Sequence, residues 1–317
     1  MIAIVQFQFT ISMLAFVIES IESTVNAGRK HDVDSSTGKI QHFFISILII
    51  CTFGPLTWVR RISRFRFAFI FGVMMIVVSI ITISIYCLGI LEERDFIRPP
   101  DGYFSINKDR YWDMIGFSFF MFEGIGSVMP VMNACNQEAK NNFSYLIAGA
   151  LITLCSMYIL FSELCYYTFG THLDEAIVML EMPADDPIIK LVKALYCFNL
   201  LFSYPLTIYP TNMVIDNILF DRVLKLQEGS THRFWLENIS RICVLVLGIL
   251  LAVFFYDQLD KILALMGTVL GTTVVLFIPA CCHYRIMGRS HVDVFIACYS
   301  VIMLIMVSSI VFSNWNE

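Results

Sequence analysis

With 317 residues, 58% of them hydrophobic and 15% charged, and a mean hydropathy of +0.74, the chain lacks the solvated shell of a soluble domain. Soluble domains carry nearer a quarter charged residues, so the bilayer is the solvent that suits this composition. A net charge of −5 without a long basic run excludes nucleic acid as the main partner.

Crossing a hydrocarbon core takes about 20 apolar residues. Runs of that kind lie at Ile2–Ile21, Phe43–Trp58, Phe67–Leu91, Trp112–Met132, Tyr145–Phe169, Leu191–Ile218, Ile239–Tyr256, Leu259–His283 and Val292–Phe312. They predict an all-α polytopic membrane protein of about nine helices. The second run is short and carries Pro55. The first lacks the basic start of a cleaved signal, since Met1–Phe9 holds no Lys or Arg and Gln6, Gln8 and Thr10 interrupt it. A retained membrane helix is expected there. All ten cysteines except Cys135 fall in apolar stretches without CxxC pairing, which reads as buried membrane-helix residues rather than disulfides or a metal site.

Loop charge sets the expected orientation. Arg60, Arg61, Arg64 and Arg66 follow the second run, Arg222, Lys225 and Arg233 the sixth, and Arg285 and Arg289 the eighth. These loops share one face, the cytoplasmic one. The loop with Asp174, Glu175, Glu181, Asp185 and Asp186 belongs to the opposite face. The N-terminus is then inside and the C-terminus outside. Asn142 and Asn238 match the glycan acceptor pattern but fall near the cytoplasmic face, so neither is expected to be glycosylated.

Within Trp112–Met132, Glu123 places a carboxyl in mid-membrane, at a cost on the order of 2.5–3.5 kcal/mol. One reading is a structural carboxyl, protonated or capped, that holds two helices together. The other is a substrate- or proton-binding site. Gly124 and Gly126 each weaken a helix by about 1 kcal/mol relative to Ala, and Pro130 follows. Together with the acid they point to a helix that unwinds, which lipid tolerates only where it lines a cavity; close packing through small residues is the alternative.

On the sixth run Asn199, Ser203 and Thr207 share a face, with Pro205 and Pro210 inside. Cavity lining and helix–helix hydrogen bonding both fit them. On the eighth, Gly267 and Gly271 form a small-residue face beside Thr268 and Thr272, where packing is expected. Glu163 is a second acid in an apolar run, open between reaching the interface and a functional role. His172, His283 and His291 stand apart from other ligand types, so no metal or cofactor is expected. No nucleophile elbow, HExxH or phosphate loop occurs, and the soluble loops leave no room for an enzyme domain.

The string Phe122-Glu123-Gly124-Ile125-Gly126-Ser127-Val128-Met129-Pro130 resembles the F-E-G-I-G-x-x-x-P signature of the amino acid/auxin permease family, and within it the proton-coupled and vacuolar amino-acid transporter branch. Tyr167-Thr168-Phe169-Gly170 with Ile177 and Pro183, Phe202-Ser203-Tyr204-Pro205-Leu206, and Leu259-Asp260-Lys261-Ile262 through Gly267 are similar to further stretches of that family. The resemblance implies a LeuT-like inverted-repeat helix bundle of about eleven helices, five plus five and one more.

On that frame the first run here matches the family's third helix. Residues 1–111 then belong to the first repeat, 112–283 to the second and 284–317 to a final helix, within one transporter domain. The family's glycine-rich first helix has no counterpart string, so either the gene model is truncated or the member cannot transport unaided.

The resemblance implies secondary active transport of a small neutral or zwitterionic amino acid by alternating access, coupled to H⁺, with Na⁺ as the other candidate ion. Phe122, Glu123, Gly124, Ile125, Gly126 and Ser127 would meet the substrate, joined by Asn199 and Ser203, with Glu123 as the titratable or amine-facing group. The other reading is a sensor or assembly partner derived from the family. Either is a multi-pass protein of the plasma membrane or of a vacuolar or lysosomal membrane.

Overall fold

The computed structural model describes residues 2–27, 35–58, 66–95, 111–121, 128, 131–132, 135–170, 178–183, 186–226, 230–255, 259–288 and 290–313. The elements are α1 (Ile2–Ala27), α2 (Ser35–Thr57), α3 (Arg66–Glu93), α4 (Tyr111–Met121), α5 (Gln137–Asn141), α6 (Phe143–Phe169), α7 (Val178–Glu181) and α8 (Pro187–Asp216). A π-helical segment, Asn217–Val223, extends α8. Then come α9 (Thr231–Phe254), α10 (Leu259–Met266), a second π segment (Gly267–Phe277), α11 (Ile278–Ile286) and α12 (His291–Ser313).

Local chemistry sets several of these ends. Asp186 caps α8 by accepting from the Ile188 N–H at 2.8 Å, and Pro187 follows at a position where its missing N–H costs nothing. Ser230 caps α9 through the Arg233 N–H at 3.2 Å, and Asn136 caps α5 through the Ala139 N–H at 3.0 Å. Gly170 closes α6 at φ +64°, a conformation that penalises any side chain with a Cβ.

Among the described residues, seven helices are long and apolar enough to cross a membrane: Ala3–Val25, Phe67–Glu93, Phe143–Phe169, Pro187–Val223, Thr231–Phe254, Leu263–Ile286 and His291–Ile310. The expected second span corresponds to the shorter apolar stretch Gln41–Thr57. The expected fourth contains α4 and runs on through residues largely outside the described set. Large apolar side chains stand exposed on the outer helix faces, among them Phe67, Val73, Leu146, Leu160 and Ile305. Such a surface suits lipid rather than water. Cysteines lie on it too: Cys51, Cys243, Cys281, Cys282 and Cys298 are exposed, whereas Cys87 and Cys165 are buried. Membership of an apolar helix therefore does not bury a cysteine in the protein.

The chain divides into two compact units. Unit 1 comprises residues Ser84–Asp174 and Asp260–Glu317, and unit 2 comprises Ile2–Ile83 and Glu175–Leu259.

Unit 2 is organised around α1, which packs against α2, α8 and α9. Leu14, Ile18 and Val5 are all but fully buried on it. Gly248 of α9 lets that helix come close, because a Cβ there would stand 3.1 Å from Leu14 Cδ1. Edge-to-face rings, Phe16 on Tyr196 at 4.7 Å and Phe53 on Tyr204 at 5.0 Å, tie α1 and α2 to α8. Thr211 Oγ1 donates to the Ala3 carbonyl at 2.8 Å.

In unit 1 the second π segment is the hub, in contact with α4, α11 and α12. Ala264 and Val307 form a fully buried core under Ile115, Phe117, Leu265 and Met303. Ser300 Oγ donates to the Thr272 carbonyl at 3.1 Å. Arg94 at the end of α3 donates to the Thr168 carbonyl at 3.2 Å, and His283 Nδ1 lies 2.9 Å from Asp293 Oδ2.

Candidate functional site

Six residues of the expected site, Phe122, Glu123, Gly124, Ile125, Gly126 and Ser127, lie outside the described residues. What the structure does place is the helix that leads into them. Built on Gly116 of α4, a Cβ would strike the Ala264 carbonyl oxygen, and built on Gly267 it would strike the Gly116 carbonyl oxygen. A Cβ on Gly271 would lie 3.1 Å from the Phe119 carbonyl oxygen. The small face of Gly267 and Gly271 thus packs backbone against backbone on α4, which holds the segment that ends at Met121. Thr268 and Thr272, both fully buried, turn their hydroxyls onto the Ala264 and Thr268 carbonyls of their own segment. Such bonds satisfy hydroxyls inside a dry contact.

On α8, Asn199 is 3% exposed. Ser203 Oγ donates toward Asn199 Oδ1 at 3.4 Å, and Thr207 Oγ1 donates to the Ser203 carbonyl at 3.3 Å. Asn199 meets α3 at Gly72, where a Cβ would come within 2.9 Å of Asn199 Oδ1. Asn199 and Ser203 therefore share one polar face at a helix–helix contact. Glu163 is exposed on α6.

A polar centre that sequence reasoning did not assemble lies in unit 2, where α2, α8 and α9 meet. Arg233, Glu237 and Arg241 recur every four residues on one face of α9. Arg233 Nε reaches Glu237 Oε1 at 2.7 Å, and its Nη1 reaches Asp221 Oδ1 at 2.9 Å and the Leu226 carbonyl at 3.0 Å. Arg241 Nη2 pairs with Asp216 Oδ2 at 2.9 Å, and its Nη1 donates to the Thr57 carbonyl at 3.3 Å.

Asp216 immediately precedes the π segment and Asp221 lies within it, and the segment's i→i+5 bonding brings residues five apart toward one face. Each guanidinium is almost wholly inside the protein, and an uncompensated charge there would be costly. Beside them is a cavity of about 210 Å³, lined in part by Tyr209, Asn212, Asp216 and Arg241. In its wall Arg241 Nε and Asn212 Oδ1 are buried without a hydrogen-bond partner among the described residues. The cavity so offers a donor and an acceptor to a polar occupant. The sequence signal for this centre is the Arg-Glu-Arg spacing of Arg233, Glu237 and Arg241, of which loop charge alone marks only Arg233.

The model of the family described as transmembrane amino acid transporter protein matches residues 1–316. The chain is 24% identical over 260 residues to vacuolar amino acid transporter 4 of Saccharomyces cerevisiae, covering 76% of this chain and 36% of that protein. It is 25% identical over 288 residues to vacuolar amino acid transporter 3 of Schizosaccharomyces pombe, covering 90% and 41%. To amino acid transporter ANT1 of Arabidopsis thaliana it is 24% identical over 308 residues, covering 90% and 68%. The chain thus spans well under half the length of the two fungal relatives. Multi-pass apolar helices and the near end-to-end family match agree: the chain belongs to the transmembrane amino acid transporter family.

Proposed function

We propose that the chain moves a small neutral or zwitterionic amino acid across a membrane by alternating access, driven by H⁺ or, as the other candidate, Na⁺. The observation that carries this reading is the family match over residues 1–316, within which the acid Glu123 sits in an apolar run. An intramembrane carboxyl is retained where it serves an ion or a substrate. Phe122, Gly124, Ile125, Gly126, Ser127, Asn199 and Ser203 contact the substrate in this proposal, and Glu123 exchanges the proton. Family membership favours transport over a sensor or assembly role.

The architecture we propose is LeuT-like, with about nine helices in this chain. A five-plus-five inverted repeat relates the first two spans here to the sixth and seventh. Support comes from unit 2, where α1 and α2 each pack against both α8 and α9. Residues 1–111 then fall in the first repeat, 112–283 in the second and 284–317 in the final helix. The names of the fungal relatives favour a vacuolar-type membrane, and the loop charges favour a cytoplasmic N-terminus.

The test is radiolabelled amino-acid uptake by the full-length protein in vesicles with an imposed proton gradient. Glu123→Gln is expected to abolish proton-driven uptake. Wild-type rates in that variant would remove Glu123 from the mechanism, and no uptake of any amino acid by the wild-type protein would remove the transport reading.

A further inference from the structure

Two prolines inside α8, Pro205 and Pro210, deny that helix two ladder hydrogen bonds, and the π segment begins directly after Asp216. Beside this irregular stretch, among α2, α8 and α9 of unit 2, lies the cavity of about 210 Å³. A water's share of liquid volume is about 30 Å³, so the space holds several waters or one small organic molecule. Its wall divides by chemistry. Leu56, Pro205, Ile208 and Met213 supply apolar surface. Asn212 and Arg241, only 6% and 9% exposed, supply polar surface. Among the described residues Asn212 Oδ1 accepts no hydrogen bond and Arg241 Nε–H donates none, although Asp216 and the Thr57 carbonyl hold the rest of the guanidinium. Buried polar groups in that state carry a desolvation cost that a bound partner relieves.

We propose that this cavity binds a free α-amino acid with a small side chain, as an accessory site apart from the residues proposed for transport. The two unmet atoms are opposite in kind. A ligand that satisfies both must accept from the Arg241 Nε–H and donate to Asn212 Oδ1. A carboxylate suits the guanidinium through a charge-assisted bond, and an ammonium suits the amide oxygen. An α-amino acid carries both groups on one carbon, and its side chain meets the apolar wall. Ligands with one charge fit less well, because carboxylates (Asp216, Glu237) and guanidiniums (Arg233, Arg241) line the same space.

The site shares no residue with the proposed substrate set. Asn212 stands nine residues beyond Ser203 on α8, about 14 Å along the axis. Because Leu56 belongs to α2, Asn212 to α8 and Arg241 to α9, an amino acid bound here ties three helices together. The inference rests on the chemistry of the cavity wall and not on whether the chain carries amino acids.

The test follows hydrogen–deuterium exchange of the full-length protein in nanodiscs, with L-alanine added to about 50 mM to reach millimolar dissociation constants. Peptides across residues 205–217 and 233–241 are expected to exchange more slowly, by about tenfold at about ten times the dissociation constant. Propionate and ethylamine, each with one of the two head groups, are expected to leave those peptides unchanged at the same concentration. Asn212→Leu removes the acceptor and takes up space. Met213→Trp fills the cavity from a residue that is 53% exposed and so tolerates bulk. Each substitution is expected to abolish the protection.

No protection by alanine, equal protection by propionate or ethylamine alone, or protection that survives both substitutions overturns the inference. Alanine protection confined to peptides across Phe122–Ser127 also overturns it, while leaving the transport reading in place. Protection at residues 205–217 with none across Phe122–Ser127 supports the accessory site and counts against the proposed transport residues.

Discussion

The Gly116 carbonyl oxygen of α4 stands where a Cβ on Gly267 would go, and the Ala264 carbonyl oxygen stands where a Cβ on Gly116 would go. Backbone cannot swing aside as a long side chain can, so the contact admits glycine alone. It fixes α4 on the π segment and thereby sets where the chain enters Phe122–Ser127. Gly267→Ala is expected to lower stability by about 1–3 kcal/mol, the usual cost of forcing atoms into a packed contact. Gly149 of α6 has open space around its Cβ position, so Gly149→Ala is expected to be neutral or to stabilise by up to about 1 kcal/mol. Thermal unfolding of the two variants side by side checks both signs.

The Arg241–Asp216 pair is held at 2.9 Å with side-chain exposures of only 10% and 16%. Removing one partner leaves the other charge stranded, so Asp216→Asn is expected to cost about 2–3 kcal/mol, below the range for fully buried pairs. Removing both by Asp216→Asn with Arg241→Met is expected to cost less than the two single changes added together. A double-mutant cycle of unfolding free energies measures the coupling, and additive changes would show that the pair contributes nothing of its own.

Asn199 bears on both packing and substrate. Gly72→Ala would push a Cβ to 2.9 Å from Asn199 Oδ1, and the asparagine must shift to accept it. The expected result is a loss of about 1 kcal/mol. Asn199→Ala is expected to raise the KM for amino-acid uptake as well as to lower the unfolding midpoint. A lowered midpoint with KM unchanged would mark Asn199 as a packing residue alone.

Neither glycan acceptor pattern is expected to carry sugar. Asn238 is 2% exposed in the first third of α9, out of reach of any transferase acting on a folded helix. Asn142 is exposed between α5 and α6, so its state reports orientation. A glycosidase-sensitive mass shift mapped to Asn142 would invert the topology argued from loop charge.

Much of this protein was legible in one dimension. Apolar run length marks membrane helices because lipid offers backbone groups no partner and so demands about 20 residues of unbroken helix. The Phe122–Pro130 string carries the family. The small-residue face at Gly267 and Gly271 was equally readable, since only glycine allows backbones to touch.

Partnership across helices needed the third dimension. The signs of Arg233, Glu237 and Arg241 are visible in sequence, but the π turn that swings Asp216 and Asp221 toward them is a property of the folded backbone. Glu22 and His42 are separated by twenty residues along the chain, and Ser23 and Lys193 by 170. Whether such a charge is stranded or balanced depends on which neighbours packing supplies. No periodicity within a single helix encodes that.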